Sequence, residues 1–238
     1  MNATRDSLAA LYPHLALQET ARSGSDPLAK DPAALDRALL DSVHYKAQES
    51  IKVKQAFFAA NGNRLLLAAH MLAGCFRGGG RLYTLGNGGS SCDAAHIAVE
   101  FSHPVTAGRP ALPAQNLAQD MAMITAVGND VGIERIFERQ ILGLARRGDC
   151  AIGVSTSGNS ANVLRGLEAA RRQGARTLAL SGGDGGAMAQ AEYIELCLTV
   201  PSGSIHRVQE THVAIYHILW DLTHSLLVDD RAPRGAVT

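Results

Sequence analysis

From Arg81 onward the chain alternates short apolar runs with stretches of helical periodicity, and this alternation limits its fold more than any other feature. Apolar runs fall at Arg81–Leu85, Ala114–Leu117, Cys150–Ser155, Arg176–Leu180 and Ile194–Val200. Helical patterns occupy Cys92–Phe101, Met121–Val127, Ile133–Leu144, Asn162–Gln173 and Ala187–Ala191, and a last long one runs from about Arg207 to Leu227. Strands that are apolar along their length must be covered on both faces, and strands joined through helices run parallel. The reading is an α/β fold in three layers, a doubly wound sheet of about five parallel strands. Its crossovers are right-handed, and a ligand belongs at the carboxyl ends of the strands.

Composition removes several functions. The 238 residues carry 22 acidic and 22 basic side chains. A protein that holds nucleic acid through phosphates has a basic excess, and a disordered chain combines low hydrophobicity with high net charge. With 46% hydrophobic residues and no net charge, this sequence does neither. No helix-turn-helix segment or basic region is present, against a sugar-phosphate sensor fused to a DNA-binding module. Only 5% of residues are aromatic while 24 are glycine, a balance suited to close helix-on-strand packing. Cys75, Cys92, Cys150 and Cys197 are far apart and read as reduced and mostly buried, which implies a cytoplasmic protein. No signal peptide is legible at the start, and no stretch approaches the roughly 20 apolar residues that span a bilayer.

Residues 1–30 read as a variable extension and 229–238 as a loose tail, around a single domain at 31–228. Asp31-Pro32 is a helix start, with Leu35, Leu39, Val43, Ala47, Ile51 and Phe58 at helical spacing. A turn is expected at Asn61-Gly62-Asn63, then a second helix up to Gly78-Gly79-Gly80, so that 31–79 forms an αα-hairpin. Its wide apolar faces suit either a partner subunit or its own domain.

Two loops call for an anion. Leu82-Tyr83-Thr84-Leu85 leads into Gly86-Asn87-Gly88-Gly89-Ser90-Ser91 and then a helix: glycines let backbone N–H groups converge, Ser90 and Ser91 add hydroxyls, and the helix presents its positive end. Tight strand-to-helix turns also need glycine for steric reasons alone. The dinucleotide fingerprint fails at Ser91, and the Gly-Lys-Ser/Thr of a nucleoside triphosphate loop is absent. The second loop follows Ala151-Ile152-Gly153-Val154 and reads Ser155-Thr156-Ser157-Gly158-Asn159-Ser160. One hydroxyl could serve as a helix cap, but four within six residues exceed that need. Hydroxyls and helix dipoles without lysine suit a compact phosphomonoester, a sugar phosphate more than a nucleotide.

With GNGGSSCDAAHIAVE, AVGND, GVSTSGNSANV and RVQETHVAIYHILWDLTH in this order, the chain resembles the phosphoheptose (sedoheptulose 7-phosphate) isomerases of the sugar isomerase (SIS) domain family over roughly residues 40 to 228. The resemblance implies a flavodoxin-like sheet of five parallel strands in a homotetramer with active sites between subunits. It implies that Asn87, Gly88, Gly89, Asn129, Asp130, Ser155, Thr156, Ser157, Ser160 and Gln209 contact the phosphorylated sugar, to which the loop reading adds Ser90. It also implies that His96, Glu100, Gln209 and His217 hold a zinc ion, and that Glu100 and His217 are the acid/base pair. The expected reaction converts sedoheptulose 7-phosphate to D-glycero-D-manno-heptose 7-phosphate through an enediol.

The residues themselves agree in part. His96 and Glu100 share one helix face in a helix that starts at the first loop, and imidazole with carboxylate suits Zn²⁺ or a plain ion pair. Gln209 and His217 are eight apart, about 12 Å of rise and about 80° of rotation, so they meet at one ion only with both side chains extended or with chains mixing at an interface. His212 and His224 read as packing or surface histidines. Two positions depart from the family: Phe101-Ser102-His103-Pro104-Val105 stands where an arginine usually follows the glutamate, leaving Arg109 further on, and Ile205-His206-Arg207 replaces an aspartate-arginine pair. Both border the sugar in the family, which leaves a different phosphorylated ketose as an alternative. A second class is a non-catalytic tetramer that binds a replication initiator, but such relatives lack the histidine equivalent to His217.

Overall fold

A computed structural model describes residues 32–229. The chain divides into two units, Met1–Glu49 and Ser50–Thr238. Asp31, the 1–30 extension and the tail from 230 lie outside the described residues.

The expected hairpin is corrected to one helix, α1, Pro32–Arg77. Asn61-Gly62-Asn63 does not turn the chain: the helix runs straight through it, and the Asn61 side-chain Nδ2 donates to the Phe57 carbonyl one turn back at 2.9 Å. A glycine costs a helix interior about 1 kcal/mol, which uninterrupted hydrogen bonding on both sides outweighs. No proline follows Pro32 within the helix, and the chain leaves it at Gly78-Gly79-Gly80. Phe57, Leu65, Ala68, Met71 and Leu72 of its second half are buried.

The strands are β1 (Leu82–Gly86), β2 (Ala114–Asn116), β3 (Cys150–Ser155), β4 (Arg176–Gly182) and β5 (Leu196–Val200). Each agrees with an expected apolar run to within two residues at either end. They form one parallel sheet in the order β2-β1-β3-β4-β5. Alternate residues feed two cores. Leu82, Cys150, Ile152, Leu178 and Leu198 pack on one face with the second half of α1. On that face also lie α2 (Gly89–Ser102) and α7 (Ile205–Asp229). Tyr83, Leu85, Ala151 and Ala179 pack on the other face, with α3 (Met121–Asp130), α4 (Ile136–Leu144) and α5 (Ala161–Arg172). The helix expected from Ile133 begins with a 3-10 turn at Ile133–Arg135, and a short α6 covers Gly186–Gln190.

The four cysteines are free thiols; Cys75 and Cys150 are buried, while Cys92 is exposed and Cys197 half-buried, which corrects the expectation that most are buried. The neighbouring Cys75 and then burial push the Cys150 thiol up.

Candidate active site

Strand order decides where the two loops meet. The chain passes from β1 to β2 at the sheet edge and returns to β3 on the other side of β1, so the direction of winding reverses between β1 and β3. Such a reversal opens a crevice at the carboxyl ends of the two strands. β1 and β3 pair with Gly86 opposite Val154, so the Gly86–Ser91 loop and the Ser155–Ser160 loop start side by side. Asn87 and Asn162 lock them together by reciprocal amide bonds: Asn87 Nδ2 donates to Asn162 Oδ1 at 2.7 Å, and Asn162 Nδ2 to Asn87 Oδ1 at 2.9 Å. Asn162 carries no role in the sequence reading; only the pairing of β1 with β3 reveals it.

The serine loop is built for donors. Ser155 Oγ and Ser160 Oγ are 2.9 Å apart, and Ser155 Oγ lies 3.5 Å from Ser157 Oγ. Ser160 occupies the N-cap of α5, yet its side chain makes no capping bond. Its hydroxyl is spent on Ser155 instead; Val163 N–H goes to Asn162 Oδ1 at 2.9 Å, which leaves the Ala161 and Asn162 N–H groups of α5 for an anion. The loop is braced from behind: Asn159 Oδ1 accepts from Ala187 N at 2.9 Å and Met188 N donates to the Gly158 carbonyl at 3.0 Å. Thr156 and Ser157, with Asp184 and Ser202, also line an open cavity of about 290 Å³ at the ends of β3, β4 and β5.

At the other loop Ser90 is buried, and Ser91 Oγ donates to the Gly88 carbonyl at 2.7 Å. Gly88 caps α2 without a side-chain bond, so the start of that helix also faces the crevice with free donors.

α2 and α7 run in the same direction in constant register, with facing residues 120 apart at His96 and Tyr216 and again at Glu100 and Trp220. The same offset brings Gln209 over Gly89, whose missing side chain makes room for the Gln209 amide. One turn beyond Tyr216, the Trp220 indole N–H donates to the Glu100 carbonyl at 2.8 Å, satisfying a carbonyl in the last turn of α2.

This register assembles the reactive groups. His96 Nε2 lies 3.1 Å from Glu100 Oε1, and His217 Nε2 lies 4.0 Å from the same oxygen. The two imidazoles meet edge to face at 5.0 Å between centroids. The three groups offer ligand atoms within 4.8 Å of one another, and each remains open to solvent. Two imidazole nitrogens and a carboxylate oxygen form a donor set that fits zinc, with room for a further ligand. Gln209 stands seven residues before Tyr216, at the end of the helix pair next to the Gly86–Ser91 loop rather than beside His217. Asn129 and Asp130 lie exposed at the end of α3, where the Asn129 amide donates to Asp130 at 2.8 Å, and no bond among the described residues ties them to either loop.

The surroundings are less polar. Burial raises the Asp93 carboxyl to about 6, an effect that the nearby His96 reduces. Burial also raises the Tyr216 hydroxyl, with the charges of Asp93 and Glu100 adding to it. His212 is fully buried with Nε2 3.0 Å from the Ser181 carbonyl, and burial lowers its pKa to about 4. It packs as expected, as does His224, stacked on Phe101. Arg109 lies over the Trp220 ring at 4.6 Å and pairs with Asp221 at 2.6 Å.

Known proteins resemble this chain in sequence and fold. The family model for the SIS domain matches residues 44–182. The phosphoheptose isomerase of Chlorobium phaeobacteroides is 40% identical over 87% of this chain and 90% of its own length. The chain belongs to the phosphoheptose isomerases of the SIS-domain family. That of Geobacter sulfurreducens is 40% identical over 79% of this chain and 99% of its own. Among solved structures, GmhA of Neisseria gonorrhoeae superposes with a TM-score of 0.73 at 35% identity, covering 79% of this chain and 99% of that one. The Francisella tularensis phosphoheptose isomerase gives 0.74 at 34%, covering 78% and 98%. The protein is therefore an isomerase with the expected fold. Among the described residues no helix is long and apolar enough to cross a membrane.

Tyr216, Trp220 and Asn162 are the site residues the sequence reading missed. A tyrosine immediately before the catalytic histidine candidate is the one local signal, and it becomes interpretable only once α7 is laid along α2.

Proposed function

We propose that this isomerase interconverts sedoheptulose 7-phosphate and D-glycero-D-manno-heptose 7-phosphate, with Glu100 and His217 as the acid/base pair. The observation that carries the assignment is the 4.0 Å approach of His217 Nε2 to Glu100 Oε1, beside the crevice where the two donor-rich loops converge. Ser155, Thr156, Ser157 and Ser160 with the start of α5 hold the phosphate, while Asn87, Gly88, Gly89, Ser90 and Gln209 orient the sugar; Asn129 and Asp130 join them from the end of α3. Glu100 removes a proton from C1 of the ketose, giving an enediol across C1 and C2. His217 passes the oxygen proton from O1 to O2, and Glu100 returns its proton to C2. The net change is a carbonyl moved by one carbon, with no redox partner.

His96, Glu100 and His217 would hold a zinc ion, with Gln209 as the fourth residue that the family resemblance suggests. When bound, zinc polarises the carbonyl and stabilises negative charge on the enediol oxygens. The exposed Ile51, Leu66 and Leu67 of α1 support a homotetramer, and the four free thiols support a cytoplasmic location. The regulator reading is not favoured, because the chain keeps His217, which such relatives lack, beside Glu100.

The test is incubation with sedoheptulose 7-phosphate in D2O, with and without a chelator, following aldose formation by NMR. Aldose with deuterium at C2 is expected, slowed by the chelator. No turnover, joined to tight binding of a replication initiator, overturns the reading.

A further inference from the structure

Tyr216 takes no part in the proton transfers above. It is 2% exposed and precedes His217, so it points about 100° away from it around α7. Its hydroxyl lies 2.7 Å from Nδ1 of His96, the ring nitrogen opposite the one that faces Glu100 at 3.1 Å. A buried tyrosine normally finds some polar partner, so the contact alone would be ordinary packing. The direction of the hydrogen bonds makes it more than that.

A carboxylate offers only acceptors. In a neutral His96 ring, the nitrogen that bonds Glu100 therefore carries the proton, Nδ1 is bare, and Tyr216 donates to it. This arrangement cannot serve a cation at Nε2, which needs that nitrogen's lone pair. The ring proton then has to stand on Nδ1 and point at the Tyr216 oxygen. Tyr216 must in turn place its own proton elsewhere. Asp93, one turn before His96 on α2, has a carboxylate oxygen free to accept it, and no hydrogen bond joins the two in the ion-free protein. It is 7% exposed, its Oδ2 bonds to nothing among the described residues, and its charge already acts on the Tyr216 hydroxyl.

We propose that Tyr216, backed by Asp93, is a positioning residue that holds Nδ1 of His96 whichever ring nitrogen carries the proton. In the ion-free protein Tyr216 donates to Nδ1; when an ion takes Nε2, Nδ1–H donates to Tyr216 and Tyr216 donates to Asp93. The ion-dependent half rests on the metal site proposed above, and the ion-free half stands without it.

Two measurements on the full chain test this. In chelator-treated protein with 15N-labelled histidine, NMR assigns the His96 proton to Nε2, where Glu100 holds it, and in Tyr216→Phe the Nδ1 resonance moves downfield as that bare nitrogen loses its donor. An Nδ1 proton in the parent protein, or an unmoved Nδ1 resonance in Tyr216→Phe, overturns the proposal. Zinc affinity, read by competition with a chromophoric chelator, falls about 10- to 100-fold in Tyr216→Phe. Asp93→Ala loses less, and the double variant is no weaker than Tyr216→Phe, because Asp93 acts through the tyrosine. Zinc affinity in Tyr216→Phe within twofold of the parent overturns the ion-linked half. If the parent takes up no zinc, the metal reading fails and the tautomer measurement still decides. Asp93→Asn, which keeps an acceptor and the side-chain volume, retains zinc affinity within about threefold if the role is acceptance alone, and a loss as large as that of Tyr216→Phe counts against it.

Discussion

His217 Nε2 stands 4.0 Å from Glu100 Oε1, each side chain carried by a different helix of a parallel pair. Glu100→Gln and His217→Asn should each lower kcat by about 100-fold or more while KM stays within a few-fold, as for groups that act on protons in the transition state. Together they should cost little more than either alone. Steady-state kinetics on sedoheptulose 7-phosphate checks this, and near-normal turnover in both single variants removes the assignment.

Gly89 makes room for the Gln209 amide. A methyl group there meets the far end of a flexible side chain, which can swing aside at little cost in stability. Gly89→Ala should therefore leave Tm within a few degrees and still lose activity to the extent that Gln209→Ala does. Combining the two should add nothing. A fully active Gly89→Ala enzyme would show that Gln209 acts from another position.

Gly158 has φ +67° inside the serine loop, and a side chain there would strike the Gly185 carbonyl. Left-handed backbone and a contact with rigid main chain act together, so Gly158→Ala should cost about 1–3 kcal/mol. Thermal melting should fall by several degrees, and inhibition by inorganic phosphate should weaken in parallel. Unchanged phosphate inhibition in a folded variant counts against phosphate binding by this loop.

His212 is buried and its pKa lowered to about 4. Above pH 6.5 the ring is neutral in folded and unfolded chains alike, and its contribution is fully present. As the pH falls from 6.5 toward 4 the unfolded chain takes up a proton that the folded one refuses, so stability declines by about 3 kcal/mol. His212→Gln, which keeps a donor for the Ser181 carbonyl and cannot titrate, should lack this acid limb in urea unfolding measured at each pH. Parallel pH curves for the two proteins would refute it.

Much of the site was legible because its signals are local. A strand, a glycine- or serine-rich turn and a helix start are written in consecutive residues, so both loops and the His96–Glu100 face follow from spacing alone. The Asn61-Gly62-Asn63 turn was misread for the complementary reason: three turn-forming residues state a local preference, and a helix hydrogen-bonded on both sides overrode it. Ser160 marks another limit, since capping and ligand binding call for the same residue type, and only its bond to Ser155 separates the two.

The sequence by itself determined the number of strands, their parallel direction and the two donor-rich loops at their carboxyl ends. It did not determine that β1 lies between β2 and β3, which brings the loops together and lets Asn87 meet Asn162. Nor did it place Tyr216 on His96, Trp220 on Glu100 or His217 beside that carboxylate. Those contacts join residues about 120 positions apart through the packing of two helices on one face of the sheet, and no periodicity within either helix encodes the register between them. Tertiary structure decided that register, and with it which of two adjacent residues, Tyr216 or His217, stands beside the Glu100 carboxylate and which stands behind His96.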